Sequence, residues 1–301
     1  MKSIGYYLIK AVTRPLAVLP LGFHRAAGRF LGLLAGSVIK YRRKVVIDNL
    51  SNSFPDKSHD EILHITKQFY RHFGNVIAEA FWYGGASLKR IIKSHIVEIE
   101  NADTLNSVYD SSDSVFVLLG HTGNWELTAG YINYAYGTPL HFSENDISMV
   151  YRKLSSRAWD EFINSNRLCH IQDKEHYDGV VETFSIMRYA LSHRSDRKVY
   201  NFITDQYPYA RTEKTPKIKF FGRETYTMDG AATLARKLKL PVLYMGMPQT
   251  EDGKYRMKFT VITQDASTME PAQIMQAYYD LLEADIERQP WNYLWTHRRW
   301  K

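Results

Sequence analysis

The sequence predicts an α/β fold in which a mostly parallel central sheet is flanked by helices. Short apolar runs alternate along the chain with segments whose apolar residues recur every three or four positions, and this alternation is typical of parallel sheets with helical crossovers. The run Val115–Leu119 is apolar throughout, as expected for a strand buried on both faces. No repeat or Pro/Gly-rich linker interrupts the chain, which indicates one domain, residues 46–301, behind an N-terminal helical segment, residues 1–45.

The other elements follow from local signals. Glu61–Phe81 is the clearest predicted helix, because its apolar residues repeat at helical spacing and Ser58 precedes it as an N-cap. Glu251-Asp252-Gly253 is a good turn, so the strand that follows it can pair with the one before it as an edge hairpin. The remaining predicted strands are Lys198–Thr204, Lys217–Phe221, Pro241–Met245 and Tyr255–Ile262, and the remaining predicted helices are Met228–Leu238 and Pro271–Ile286.

The N-terminal segment is both basic and apolar. Residues 1–50 contain nine Lys/Arg and one acidic residue, although the whole chain has a net charge of only +7. Its charge-free runs, Pro15–Phe23 and Phe30–Ile39, are shorter than the roughly 20 residues that a membrane span needs. We therefore expect helices that lie on an anionic membrane surface, with a helical cap on a soluble core as the alternative. The predicted membrane anchors are Arg25, Arg29, Arg42 and Arg43.

Cysteine usage and motif content narrow the classes of function. The single cysteine, Cys169, excludes an intrachain disulfide framework and a cysteine-based zinc site. The basic residues are accompanied by no zinc-finger spacing and no RNA-recognition signature, so we expect no nucleic-acid partner.

The strongest candidate for catalysis follows the predicted strand at Val115–Leu119. Gly120 ends the strand, His121 comes next, and Glu126 lies five residues further on. A histidine at a sheet edge can take the proton of a hydroxyl near neutral pH, and a carboxylate on its other ring nitrogen fixes the tautomer. We interpret His121 as a general base and Glu126 as its partner, because Glu126 lies at the start of the helix that should follow the strand and can fold back toward His121. The alternative is a histidine that caps a helix, with Glu126 merely in the first turn.

Several motifs together resemble one family. The sequence GHTGNWE, Gly120–Glu126, resembles the GHxGNWE signature of the lipid A biosynthesis acyltransferases, which are lauroyl and myristoyl transferases of the lysophospholipid acyltransferase superfamily. The similarity covers nearly the whole chain, and the combination is specific although each piece alone is not. The other matching blocks are Tyr41-Arg42-Arg43, Asn49-Leu50, Phe54-Pro55, Val150-Tyr151-Arg152 with Arg167, Thr204-Asp205-Gln206, Phe220-Phe221-Gly222 and Trp295–Lys301.

The resemblance implies a glycerolipid acyltransferase-like fold and a fatty acyl transfer from a thioester to a hydroxyl. The implied donor is acyl-carrier protein or acyl-CoA. The implied acceptor is an anionic glycolipid, typically a lipid A precursor, at the cytoplasmic face of the bacterial inner membrane. His121 would be the base and Glu126 its orienting partner, and the reaction would need no metal or redox cofactor.

Arg152 and Arg167 are interpreted as substrate-binding residues through the block that they share. A guanidinium can hold a phosphate or a carboxylate with two parallel hydrogen bonds, which suits an anionic acceptor. A surface arginine in a salt bridge is the alternative for Arg152.

Two further pairs are interpreted in the same way. Asp205 and Gln206 close a predicted strand, where they would order the active-site loops or bind polar groups of the substrate, or else form the N-cap of a turn. Gly222 and Arg223 would place backbone N–H groups or a guanidinium near the thioester, unless Gly222 simply ends a strand.

Two other functions stay compatible with the sequence. One is acylation of a different membrane lipid, such as a glycolipid or an aminolipid. The other is a non-catalytic scaffold whose basic N-terminal segment binds anionic lipid.

Overall fold

The computed structural model describes residues 2–208, 212 and 215–300. Within this part, seven strands form a mostly parallel sheet with helices on both faces, so the predicted α/β class is confirmed. The strands along the chain are β1 (Val97–Ile99), β2 (Val115–Leu119), β3 (Ile147–Tyr151), β4 (Val180–Glu182), β5 (Val199–Ile203), β6 (Lys217–Phe220), β7 (Arg223–Tyr226), β8 (Val242–Gly246) and β9 (Tyr255–Thr263).

The sheet order is β1-β9-β8-β2-β5-β3-β4, and β6 and β7 form a separate antiparallel hairpin. The pair β8 and β9 is antiparallel, and the other neighbours in the large sheet are parallel. The helices are α1 (Ile4–Leu16), α2 (Leu21–Ser37), α3 (Arg43–Ser53), α4 (His59–Gly85), α5 (Leu88–Ser94), α6 (Ala102–Asp110), α7 (Arg157–Arg167), α8 (Ile186–Ser192), α9 (Gly230–Leu238) and α10 (Pro271–Arg288).

The central strand β2 is buried on both faces, as its apolar sequence predicts. Phe116 and Leu118 pack into the core cluster on one side of the sheet, and Val115, Val117 and Leu119 pack into the cluster on the other side. The helix α4 begins where the sequence places it, because the Ser58 hydroxyl accepts from the Glu61 N–H while the Glu61 carboxylate accepts from the Ser58 N–H.

Three elements differ from the sequence predictions. The hairpin of β8 and β9 is not at the edge of the sheet, because the short strand β1 adds to its outer side. The predicted strand at Lys217–Phe221 forms β6, which among the described residues pairs with β7 and not with the large sheet. The expected α-helix after β2 is a 3₁₀ helix over Trp125–Tyr134.

The N-terminal helix α2 packs against α4 in direct backbone contact. A Cβ atom added to Gly28 would lie 2.6 Å from the Gly74 carbonyl oxygen, so only glycine permits this approach. This close approach holds α2 against α4. Among the described residues, no helix combines the length and the apolar character that crossing a membrane requires.

Candidate active site

The register of the parallel strands β2 and β5 brings His121 and Asp205 together. Leu119 lies opposite Ile203 at the carboxyl ends of the two strands, and each functional side chain is the second residue after its strand. The Nδ1 atom of His121 lies 2.7 Å from Oδ1 of Asp205. The carboxylate also accepts from the backbone N–H of His121 at 3.2 Å. One buried carboxylate therefore holds both the ring and the backbone of the histidine.

These contacts define the tautomer of His121. Because the Asp205 carboxylate accepts, Nδ1 carries the proton and Nε2 has a lone pair that can accept a proton. The amide nitrogen of Gln206 lies 3.3 Å from Nε2, where it can donate to that lone pair. Burial disfavours the charged form of Asp205, but the charge and hydrogen bonds of His121 outweigh burial and lower the pKa of the Asp205 carboxyl. The pair is thus built to keep Asp205 ionised beside the imidazole.

Among the described contacts, none joins Glu126 to His121, where the sequence predicted an orienting carboxylate. Glu126 instead contacts Arg167, whose Nη2 atom lies 3.2 and 3.3 Å from the two carboxylate oxygens. The guanidinium of Arg167 also lies over the ring of Tyr151, 5.5 Å from its centroid. Two residues interpreted from sequence as parts of different functions, base and acceptor site, thus form one ion pair.

The turn that carries His121 is held from several sides. Gly123 has a φ of +60°, and a Cβ atom there would lie 2.5 Å from the Met247 carbonyl oxygen, so the position requires glycine. The Gly123 N–H donates to the backbone and side-chain oxygens of Asn292, and its carbonyl accepts from Nε2 of His72 at 3.2 Å. The Leu294 N–H donates to the His121 carbonyl at 3.0 Å. The turn is therefore held by hydrogen bonds from α4 and from the C-terminal segment.

A largely apolar cavity of about 580 Å³ begins one side chain away from His121. Trp125 lines the cavity and also makes an edge-on contact with the imidazole, with the ring centroids 5.0 Å apart. The ion pair of Glu126 and Arg167 lies in the cavity wall, beside Arg152. The other lining residues are Tyr41, Phe73, Val76, Ile77, Ala80, Phe81, Tyr151, Leu154, Trp159, Asp160, Ile163 and Asn164.

Part of this cavity wall is also exposed to solvent. Tyr41, Ile77, Leu154 and Trp159 line the cavity, and each is between 42% and 46% exposed. A cavity bounded by exposed apolar side chains is suited to a ligand that arrives from an apolar phase.

A sequence profile described as bacterial lipid A biosynthesis acyltransferase matches residues 1–301. The chain belongs to this family. No curated protein matches it with significance. Family membership makes the protein an acyltransferase of lipid A biosynthesis, and it excludes the scaffold alternative that the sequence left open.

The two hairpin residues of this acyltransferase lie apart from His121. Gly222 has a φ of +67° at the turn between β6 and β7, and the guanidinium of Arg223 lies 5.3 Å from the ring centroid of Trp300. Among the described contacts, none joins Gly222 or Arg223 to His121. The structure therefore gives these residues a place in the hairpin and does not bring them to the histidine.

The four predicted membrane anchors have different environments. Arg25 is largely buried in an ion pair with Glu79 and does not lie free on the surface as an anchor would. Arg29 and Arg42 are exposed, although Arg42 also donates to the Thr296 carbonyl at 2.9 Å. Arg43 is half-buried beside the end of α2. The anchor role of Arg29, Arg42 and Arg43 stays a prediction.

The sequence interpretation missed three residues of the acyltransferase site. His72, Glu79 and Asn292 support the histidine turn from α4 and from the C-terminal segment. The sequence indicates them only indirectly, through Gly123 and Asn124 of the turn, which need hydrogen-bond partners. Among the described residues, no three histidine, cysteine or acidic side chains lie close enough together to hold a metal ion.

Proposed function

We propose that this acyltransferase moves a fatty acyl group from a thioester to a hydroxyl of a lipid A precursor, with His121 as general base and Asp205 as its orienting partner. The observation that carries the proposal is the 2.7 Å contact of His121 with a buried carboxylate, next to a cavity large enough for a lipid chain. Family membership supplies the reaction class.

The proposed mechanism uses the lone pair on Nε2 of His121. Nε2 takes the proton of the acceptor hydroxyl, and the oxygen attacks the thioester carbonyl carbon. The tetrahedral oxyanion collapses, the carbon–sulfur bond breaks, and the imidazolium returns its proton to the leaving thiolate. Asp205 stabilises the imidazolium between the two proton transfers. The products are an ester and a free thiol.

The cavity supports a division of roles within the substrate. Its aromatic and aliphatic wall suits the acyl chain, and Trp125 links that wall to His121. Arg152 and the pair of Arg167 with Glu126 lie in the same cavity wall. We assign the anionic groups of the glycolipid to Arg152 and Arg167, because guanidinium groups bind phosphate with two hydrogen bonds.

The N-terminal segment supports peripheral binding at the cytoplasmic face of the inner membrane. Ile4, Leu8, Val12 and Leu16 recur every four residues along α1, and each is between 45% and 80% exposed. Lys2, Lys10 and Arg14 lie on or next to the same helix. An exposed apolar stripe with basic neighbours is the pattern of a helix that lies in a lipid interface.

The rate of acyl transfer by the purified His121→Ala variant tests the mechanism. We expect transfer from an acyl thioester to lipid acceptor to fall by about 10²- to 10⁴-fold, the contribution of a general base. Circular dichroism should show an unchanged fold. A folded variant with near-wild-type transfer would rule out His121 as the base.

The acceptor is tested by mass spectrometry of lipids from a deletion strain. Loss of one acyl chain from lipid A supports the proposed acceptor. Intact lipid A, together with loss of an acyl chain from another glycolipid or an aminolipid, contradicts it.

Membrane binding is tested by Leu8→Glu and Val12→Glu in sedimentation with anionic vesicles. Each change should weaken binding by about tenfold, because a charge replaces an apolar side chain at the lipid interface. The matched control is Leu191→Glu on α8, which also replaces an exposed leucine, 47% exposed. Equal losses in all three variants would show that α1 is not the membrane-binding face.

A further inference from the structure

Glu79 on α4 is a fully buried carboxylate whose partners come from three distant parts of the chain. Its exposed fraction is 0%. Arg25 on α2 donates to Oε1 at 2.6 Å, and the Tyr255 hydroxyl donates to Oε2 at 2.9 Å. The side-chain amide of Asn124 also donates to Oε2 at 2.9 Å. The carboxylate thus joins an N-terminal helix, the sheet and the turn after His121.

A buried carboxylate is costly unless a cation and hydrogen bonds compensate it. Here Arg25 provides the cation, and its Nη2 atom donates to the Gly253 carbonyl at 2.6 Å. The guanidinium therefore binds two groups in fixed directions, which a lysine ammonium on a flexible stem does not reproduce.

Asn124 connects this network to the catalytic turn. It lies three residues after His121, it is fully buried, and its amide also donates to the Val76 carbonyl at 3.2 Å. Asn124 therefore ties the turn to α4 in two places. Since Arg25 neutralises the acceptor of one of these bonds, the position of Asn124 depends on α2.

We propose that Arg25 and Glu79 are positioning residues for acyl transfer, which hold the His121 turn through Asn124. The proposal rests on the function proposed for His121. It gives α2 a role in the chemistry in addition to any role at the membrane. Neither residue contacts the cavity or His121, so both act through Asn124.

The first test compares kcat and KM of Arg25→Met with those of the wild type. We expect kcat to fall by about tenfold to hundredfold, since small displacements of a catalytic group have effects of this size. The KM for the acyl thioester should stay unchanged, because the cavity is intact. Arg25→Lys keeps the charge, so its kcat should fall less. This variant also serves as the test if Arg25→Met folds poorly.

The second test asks whether the effect passes through Asn124. If it does, Arg25→Met with Asn124→Ala should have the kcat of Asn124→Ala alone to within about twofold. If the loss of kcat in the double variant equals the product of the two single losses, Arg25 does not act through Asn124. The matched control is Arg236→Met, which breaks an exposed ion pair with Glu270 and should leave kcat unchanged.

The outcomes separate this proposal from the assignment of His121. Wild-type transfer by folded His121→Ala contradicts the proposed function itself. Loss of transfer in His121→Ala, with wild-type kcat per folded molecule in both Arg25→Met and Arg25→Lys, overturns only the positioning role.

Discussion

Two carboxylates near the His121 turn have opposite environments. Asp205 has a side chain only 2% exposed and contacts an imidazole, whereas Glu126 is 19% exposed and contacts the guanidinium of Arg167. The first pair lies at the end of two central strands, and the second lies in the wall of the cavity. The difference separates the proton chemistry, which needs a buried and rigid partner, from the binding of a charged substrate, which needs groups that face a cavity.

The largest expected effect comes from Asp205→Asn. The amide keeps the size of the side chain but cannot stabilise an imidazolium as a carboxylate does, and it can impose the wrong tautomer on His121. We expect kcat to fall by about 10²- to 10⁴-fold with little change in KM. Steady-state transfer from an acyl thioester measures both. A variant that raises KM and leaves kcat intact would place Asp205 in substrate binding.

A second prediction concerns His72, the buried histidine of α4 that donates to the turn. Burial lowers its pKa to about 4, although its hydrogen bond to the Gly123 carbonyl raises it. The unfolded state binds the proton below about pH 6.5, and the folded state binds it only near pH 4. Stability should therefore decrease as the pH falls across this window, by up to about 3 kcal/mol.

Urea unfolding between pH 4 and pH 7 measures this loss. His72→Gln is the control, because its amide can donate to the Gly123 carbonyl and does not titrate. It should show a flatter dependence of stability on pH. An identical dependence in both proteins would assign the titration to another group.

The smallest effect is expected from Glu126→Gln, which should lower kcat/KM by about tenfold and act mainly on KM. The loss should be non-additive with Arg167→Met, because the two side chains form one ion pair. A full cycle of both single variants and the double variant measures the coupling. Independent losses would show that the ion pair has no role in substrate binding.

The sequence predicts the strands better than it predicts the partners of His121. The apolar runs of β2 and β8 and the position of His121 after Gly120 are local features, and the structure confirms them. The contact with Asp205 depends on β2 and β5 being neighbours, which is a property of sheet order and not of either strand.

The separation of Glu126 from His121 has a local cause. Spacing suggested Glu126 because an α-helix was expected after the turn, with the carboxylate in its first turn. Asn124, at the N-cap position, instead donates its amide to Glu79, and its side chain accepts no N–H of the helix. The segment continues as a 3₁₀ helix, and Glu126 lies in the cavity wall. Asn124 thus binds a buried partner 45 residues upstream and does not cap the helix that follows it.

The most direct test measures single-turnover acyl transfer in a His121→Ala background, at substrate concentrations below KM. If Asp205 acts only through His121, Asp205→Asn should lower the residual rate no further, whereas Glu126→Gln should still lower it by its own factor. The reverse pattern, with Asp205→Asn adding its full loss and Glu126→Gln adding none, would contradict the assignment of Asp205 as the partner of the base.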